Sequence, residues 1–205
     1  HTLQQVIHET GVETVIVTGI GDLLGFPKST LVNFALRHVK KQVPEYSLPG
    51  SIGFNEALSK GKFENLEAVP LTHDDVAFLQ YTGGTTGVSK GAVLTHRNLV
   101  ANVLQSEAWM GPGLREASGQ MVLVTALPLY HIFSLTANCL LFMKLGGHNV
   151  LIANPRDFAG FVKELSKFPF TFFAGVNTLF NALLHTPGFD QLDFSNLKVS
   201  LGGGM

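Results

Sequence analysis

The segment Tyr81-Thr82-Gly83-Gly84-Thr85-Thr86-Gly87-Val88-Ser89-Lys90-Gly91-Ala92 concentrates glycines, hydroxyls and one ammonium directly after the apolar run Val76-Ala77-Phe78-Leu79. Glycines allow positive φ and close backbone approach. The hydroxyls of Thr82, Thr85, Thr86 and Ser89 can donate to phosphoryl oxygens, and Lys90 adds positive charge. That is the chemistry of a polyphosphate cradle. Donors aimed in advance at developing charge contribute about 3–4 kcal/mol each to such sites. A Walker loop requires Lys directly after Gly and a helix to follow, whereas Lys90 follows Ser89. The residues after the loop, Gly91-Ala92-Val93-Leu94-Thr95, read as a strand, so the loop is expected to join two strands. A plain Gly-rich hairpin is the competing explanation.

Three further places could bear chemistry. His131 falls between the end of a strand and the start of a helix, where side chains project into a cleft; a packed, satisfied histidine beside Ile132 and Phe133 explains the residue equally. Gly202-Gly203-Gly204 follows a strand, where a flat base could lie on bare backbone; a Gly-rich turn explains those residues too. Gly175 and Val176, at another strand end, are the candidates for contact with an apolar substrate. The phenylalanines around them, Phe168, Phe170, Phe172, Phe173 and Phe180, read mostly as core, although the chain has 16 in all. His73-Asp74-Asp75 has no further ligand at suitable spacing and reads as a solvated turn rather than a metal site.

The elements that must hold these residues alternate along the chain. A short helix carries Leu3, Val6 and Ile7 on one face, and residues 13–18 read as a buried strand. Helical patterning over 23–41 is broken by Pro27, and 43–70 reads as a surface connection with a short helix at 54–59. Strand 76–81 leads into the cradle. Helix 96–110 follows, with Thr95 as N-cap and Gly111-Pro112-Gly113 as its stop. Strands at 121–126, 149–153, 170–174 and 198–201 then interleave with helices at 133–145, 157–167 and 177–185. That alternation predicts an α/β fold with a mainly parallel sheet flanked by helices on both faces.

Composition narrows the function classes. The chain has 205 residues, 45% of them hydrophobic and 14% charged, with a formal net charge of −1. It is therefore a folded globule with no global basic field to recruit nucleic acid. The lone Cys139 excludes an intrachain disulfide framework and fits a reducing compartment. The most apolar window, 135–145, is too short to span a bilayer.

The cradle motif resembles the phosphate-binding signature of the adenylate-forming superfamily. Leu94-Thr95-His96-Arg97-Asn98-Leu99, Pro128-Leu129-Tyr130-His131-Ile132-Phe133, the segment from Gly175 to Leu183, and Leu201-Gly202-Gly203-Gly204-Met205 continue the likeness in order. Within the superfamily the chain is most similar to bacterial long-chain fatty-acid–CoA ligases. It departs from the usual pattern at Gly84, where Ser is common, and at Ser89, where Pro is common.

The resemblance implies part of the large N-terminal domain of an adenylate-forming enzyme, with residues 1–205 as one incomplete AMP-binding domain and the small C-terminal domain outside the chain. It implies ATP and Mg²⁺ use, coenzyme A as co-substrate and a fatty acid as the activated carboxylate. On it, residues 81–92 and Gly202-Gly203-Gly204 serve ATP, Thr82 lies near the Mg²⁺, and His131, Lys90 and Thr82 do the chemistry. His131, with Gly175 and Val176, meets the acyl substrate. A cytoplasmic location follows, with room for peripheral contact at the inner membrane and for a homodimer. The Mg²⁺ glutamate, the ribose aspartate and the adenylation lysine are expected beyond these residues, so the 205 residues alone should bind ATP weakly and not turn over. Activation of an aryl, short-chain or amino acid, and a non-catalytic nucleotide-binding or apolar-ligand-binding module, are the other readings. An amino-acid enzyme would carry an Asp for the substrate ammonium after the fourth motif, and residues 133–138 contain none.

Overall fold

The computed structural model describes residues 2–82, 89–117 and 119–204. The chain divides into two compact units, His1–Val69 and Pro70–Met205.

The first unit comprises α1 (Thr2–Val6), β1 (Ile16–Val17), α2 (Lys28–Phe34), β2 (Ile52–Gly53) and α3 (Phe54–Gly61). β1 and β2 pair in parallel. The buried strand expected at 13–18 is a two-residue strand in which Ile16 is half exposed. Its β-branched sequence favours extended backbone. A single two-residue partner, however, leaves most of it unpaired among the described residues. The connection expected over 43–70 contains β2 as well as the foreseen helix. Asp22 ties the turn after β1 together. Its carboxylate accepts from the Gly19 N–H at 2.7 Å and from Asn33 Nδ2 at 2.8 Å, while Asn33 Oδ1 accepts from the Gly21 N–H at 2.8 Å. The Gly19 N–H, followed by Asn33 and Thr18, holds the Asp22 carboxyl below the usual aspartate range.

The second unit opens with β3 (Val76–Thr82) and β4 (Lys90–Thr95), an antiparallel hairpin with Tyr81 opposite Gly91 and Thr82 opposite Lys90. The cradle thus joins two strands, as its sequence predicts. α4 (His96–Leu114) starts on a capping box: Thr95 Oγ1 accepts from the Asn98 N–H, and Asn98 Oδ1 accepts from the Thr95 N–H at 2.9 Å. The expected stop at Gly111-Pro112-Gly113 is overridden, because the helix runs through it to Leu114. An interior proline costs about 3 kcal/mol. Met110 and Leu114 are both buried, at about 1.5–3 kcal/mol each, which offsets it. Gly113 is needed there: a Cβ would come within 2.9 Å of Val199 Cγ2.

The rest is β5 (Val122–Thr125), α5 (Ile132–Ser134), a π-helical stretch at Leu135–Leu140, α6 (Leu141–Leu145), β6 (His148–Leu151), α7 (Phe158–Leu165), β7 (Phe172–Gly175), α8 (Asn177–Leu184) and β8 (Val199–Gly202). The four strands form an all-parallel sheet in the order β6-β5-β7-β8. Its faces are covered as the period of two requires. Val122, Val124 and Phe173 pack under Phe161 and Leu165 of α7 and Leu183 of α8. Leu123, Phe172 and Ala174 pack under Met110 and Leu114 of α4 and Leu141 and Phe142 of α6. The move from β5 to β6 uses one face and the moves to β7 and β8 use the other, which gives the three crossovers one hand. α6 ends on Gly146, whose φ of 70° supplies a left-handed cap.

Candidate active site

The sheet order creates the crevice. β5 leads out toward β6 on one side, and its neighbour β7 leads out toward β8 on the other. The carboxyl ends of β5 and β7 therefore flank a switch point, where open α/β sheets bind ligands. β5 delivers the turn bearing His131, β7 delivers Gly175 and Val176, and β8 delivers Gly202, Gly203 and Gly204.

These residues come together. The Gly203 N–H donates to the Gly175 carbonyl at 3.2 Å. The Phe133 ring lies over the glycine turn, since a Cβ at Gly203 would sit 3.4 Å from Phe133 Cζ. A Cβ at Gly204 would meet both Phe133 and Val176 Cγ1, at 3.6 and 3.7 Å, and its φ of 69° is one that side chains resist. On the other side of the strand pair, Phe180 crowds Gly175: an added Cβ would lie 3.0 Å from the Phe180 ring.

His131 is exposed and caps α5, its Nδ1 accepting from the Phe133 N–H at 3.3 Å. Acceptance at Nδ1 puts the neutral ring's proton on Nε2, so the free edge of the imidazole is a donor. Its backbone is held at both ends, by its own N–H to the Pro128 carbonyl at 3.0 Å and by the Leu135 N–H to its carbonyl at 2.9 Å.

β3 reaches the same turn. Gln80 Nε2 of β3 donates to the Tyr130 carbonyl at 3.1 Å, joining the strand that ends at Thr82 to the residue before His131. Ser89, Lys90, Gly91 and Ala92 are exposed at the start of β4. Gly91 has a packing reason of its own, because a Cβ would come within 3.2 Å of the Tyr81 ring on the paired strand. Gly83, Gly84, Thr85, Thr86, Gly87 and Val88 lie outside the described residues.

Sequence reasoning missed the bridging role of Gln80, although it is the one amide in the run Val76-Ala77-Phe78-Leu79-Gln80-Tyr81. Phe133 stood inside a recognised motif, but its seat against the glycine turn follows only from the packing of α5 over β8. The phenylalanine cluster is mainly core: Phe170, Phe172 and Phe173 are buried, while Phe168, Val176 and Phe180 pack partly buried against that core. In the acidic turn, Asp74 accepts from Arg97 at 2.9 and 3.2 Å, and Asp75 accepts from the Thr72 N–H and hydroxyl. These are structural tasks at the start of α4. Among the described residues no group of three or more His, Cys, Asp and Glu could hold a metal ion.

The family described as AMP-binding enzyme matches residues 1–205.

The chain belongs to the AMP-binding enzyme family.

A long-chain-fatty-acid–CoA ligase of Escherichia coli O157:H7 is 57% identical over 205 residues, which is 100% of this chain and 36% of that ligase. The chain thus spans about a third of the length of such relatives. The inhibitor-bound N-terminal domain of FACL13 from Mycobacterium tuberculosis aligns with a TM-score of 0.63 at 21% identity, covering 100% of this chain and 48% of that one. The fatty acyl-adenylate ligase from L. pneumophila, solved with acyl adenylate and pyrophosphate, aligns with a TM-score of 0.68 at 18% identity, covering 98% and 33%. This chain's fold, an α/β domain with a parallel sheet flanked by helices, is shared with both solved structures.

Proposed function

We propose that the protein activates a fatty acid. A carboxylate oxygen attacks the α-phosphorus of ATP, pyrophosphate leaves, and the thiol of coenzyme A then displaces AMP from the acyl-AMP to form a thioester. The observation that carries this reading is the 57% identity, over every residue of the chain, to a long-chain-fatty-acid–CoA ligase. The geometry supports it: a hydroxyl-rich hairpin tied through Gln80 and Tyr130 to His131, beside a bare glycine turn at the switch point.

In this reading the hairpin segment 81–92, with Lys90, holds the phosphates so that the leaving pyrophosphate is already neutralised. Gly202, Gly203 and Gly204 suit the adenine, since backbone backed by the Phe133 ring offers a flat apolar seat without side chains. His131 presents its Nε2–H to the substrate carboxylate, orienting one oxygen for attack. Gly175 and Val176 border the start of the alkyl chain. Thr82, at the mouth of the cradle, is the residue proposed to lie by Mg²⁺, which when bound offsets phosphate charge. Location in the cytoplasm, peripheral membrane contact and dimerisation belong to the same proposal. Among the described residues no helix is long and apolar enough to cross a membrane.

The test is carboxylate-dependent pyrophosphate release by the intact protein, with fatty acids of graded length, aryl acids and amino acids, with and without coenzyme A. Release that rises with alkyl length and yields a thioester is expected. Release with amino or aryl acids alone would replace the substrate, and ATP binding without release would replace the enzyme by a binding module.

A further inference from the structure

We infer that Asn138 is a positioning residue for His131, acting with Ser134 through the turn that joins β5 to α5. The inference rests on the proposed role of His131 toward the substrate carboxylate.

Both side chains are polar and fully buried. They stand four residues apart, so they lie one above the other on the helical face turned to β5. Ser134 Oγ donates to the Leu127 carbonyl at 3.1 Å. Asn138 Nδ2 donates to the Val124 carbonyl at 3.3 Å and to Thr125 Oγ1 at 3.1 Å. The Thr125 hydroxyl proton goes to Asn149 Oδ1 at 2.5 Å, which leaves Thr125 Oγ1 as the acceptor and fixes the orientation of the Asn138 amide. The last residues of β5, Val124 and Thr125, and Leu127 in the turn after it are therefore held from the helical side of the turn. His131 is the final residue of that turn, and its ring is aimed by the start of α5.

Two features separate this arrangement from ordinary core packing. Asn138 sits in the π-helical stretch Leu135–Leu140, a rare distortion that is frequent at functional sites; the first unit holds a second such stretch, Ala35–Val39. Asn138 Oδ1 is also buried without a hydrogen-bond partner among the described protein atoms. A buried acceptor left unmade is unfavourable, and a leucine would keep the branch at Cγ without it. What offsets that cost is the pair of hydrogen bonds that the Asn138 amide donates to the end of β5.

The experiment compares wild type with Asn138→Leu and Thr125→Val in the intact protein. It reads the thermal midpoint, the kcat and KM of pyrophosphate release with palmitate and with ATP, and the long-range ¹H–¹⁵N correlations of the His131 ring. Asn138→Leu removes the unsatisfied acceptor together with two hydrogen bonds and is expected to remain folded at the assay temperature, with a thermal midpoint only a few degrees below wild type. It should lose about tenfold in kcat/KM for palmitate with the KM for ATP unchanged, because small misplacements of an orienting group are costly. The His131 spectrum should change from a single Nε2–H tautomer to a mixture. Thr125→Val, which removes one acceptor, should shift both readouts the same way by less. A folded Asn138→Leu with wild-type kinetics and an unchanged His131 spectrum would overturn the inference, as would losses that only follow the unfolded fraction. If wild type releases no pyrophosphate with any fatty acid, the functional reading fails, and the His131 spectra of the folded variants decide the positioning role on their own.

Discussion

Lys90 and Asp22 show how differently two charged side chains can serve. Lys90 opens β4 directly opposite Thr82, at the mouth of a loop whose other donors are hydroxyls and N–H groups. Lys90→Ala is expected to lower the rate of fatty-acid-dependent pyrophosphate release about 100-fold, the usual result of removing one preorganised donor, with the fold unchanged. Single-turnover release from the intact protein, beside a circular-dichroism melt, checks both parts. Asp22 is structural. Its folded-state pKa is depressed by the Gly19 N–H and by Asn33, so its contribution is complete above the ordinary aspartate range and disappears as pH falls through the depressed value. Asp22→Asn should therefore be less stable than wild type at pH 7. The gap should narrow on acidification to pH 3, which denaturant titrations at the two pH values measure.

At the scale of elements, α4 and α6 carry the face of the sheet beneath the His131 turn. Thr95→Ala removes the α4 cap and is expected to cost about 1 kcal/mol, read as a lower thermal midpoint. Phe142 is completely buried against Phe172, with ring centroids 4.8 Å apart, and Gly147 lies so close that any Cβ there would strike the Phe142 ring. Phe142→Ala should cost about 3–5 kcal/mol, more than any cap, because a cavity replaces a packed ring. Urea unfolding of the two variants ranks them, and an equal cost would contradict the packing account. Periodicity makes these helices readable in the sequence. Their ends were less so: Gly111-Pro112-Gly113 spells a stop, yet burial of Met110 and Leu114 carries α4 beyond it.

For the molecule as a whole, substrate choice is the question. The crevice at the ends of β5 and β7 is bordered by Gly175, Val176 and Phe133, with no acidic side chain in 133–138 to receive a substrate ammonium. Activity of the intact protein should therefore rise with alkyl chain length. It should be at least tenfold lower for amino acids, since each buried methylene adds about 0.8 kcal/mol and an unpaired ammonium is penalised. Competition between acids of different length for pyrophosphate release measures the order.

Local chemistry made much of this legible in advance. The glycines and the second apolar run after Lys90 predict a loop between two strands, and β3 and β4 pair as that hairpin. Alternating strand and helix periods identify the parallel sheet, because each period states which face must be buried. Order along the chain even placed Gly175 and Gly202 at strand ends and His131 at the start of a helix. Their meeting was decided by the tertiary structure. The order β6-β5-β7-β8 sets β5 beside β7, and no residue spacing reports which strands become neighbours. The same packing sets Phe133 against Gly203, brings the Gln80 amide to Tyr130, and buries Asn138 at the end of β5. Those contacts join residues 14 to 70 positions apart, and only the folded chain holds them within reach.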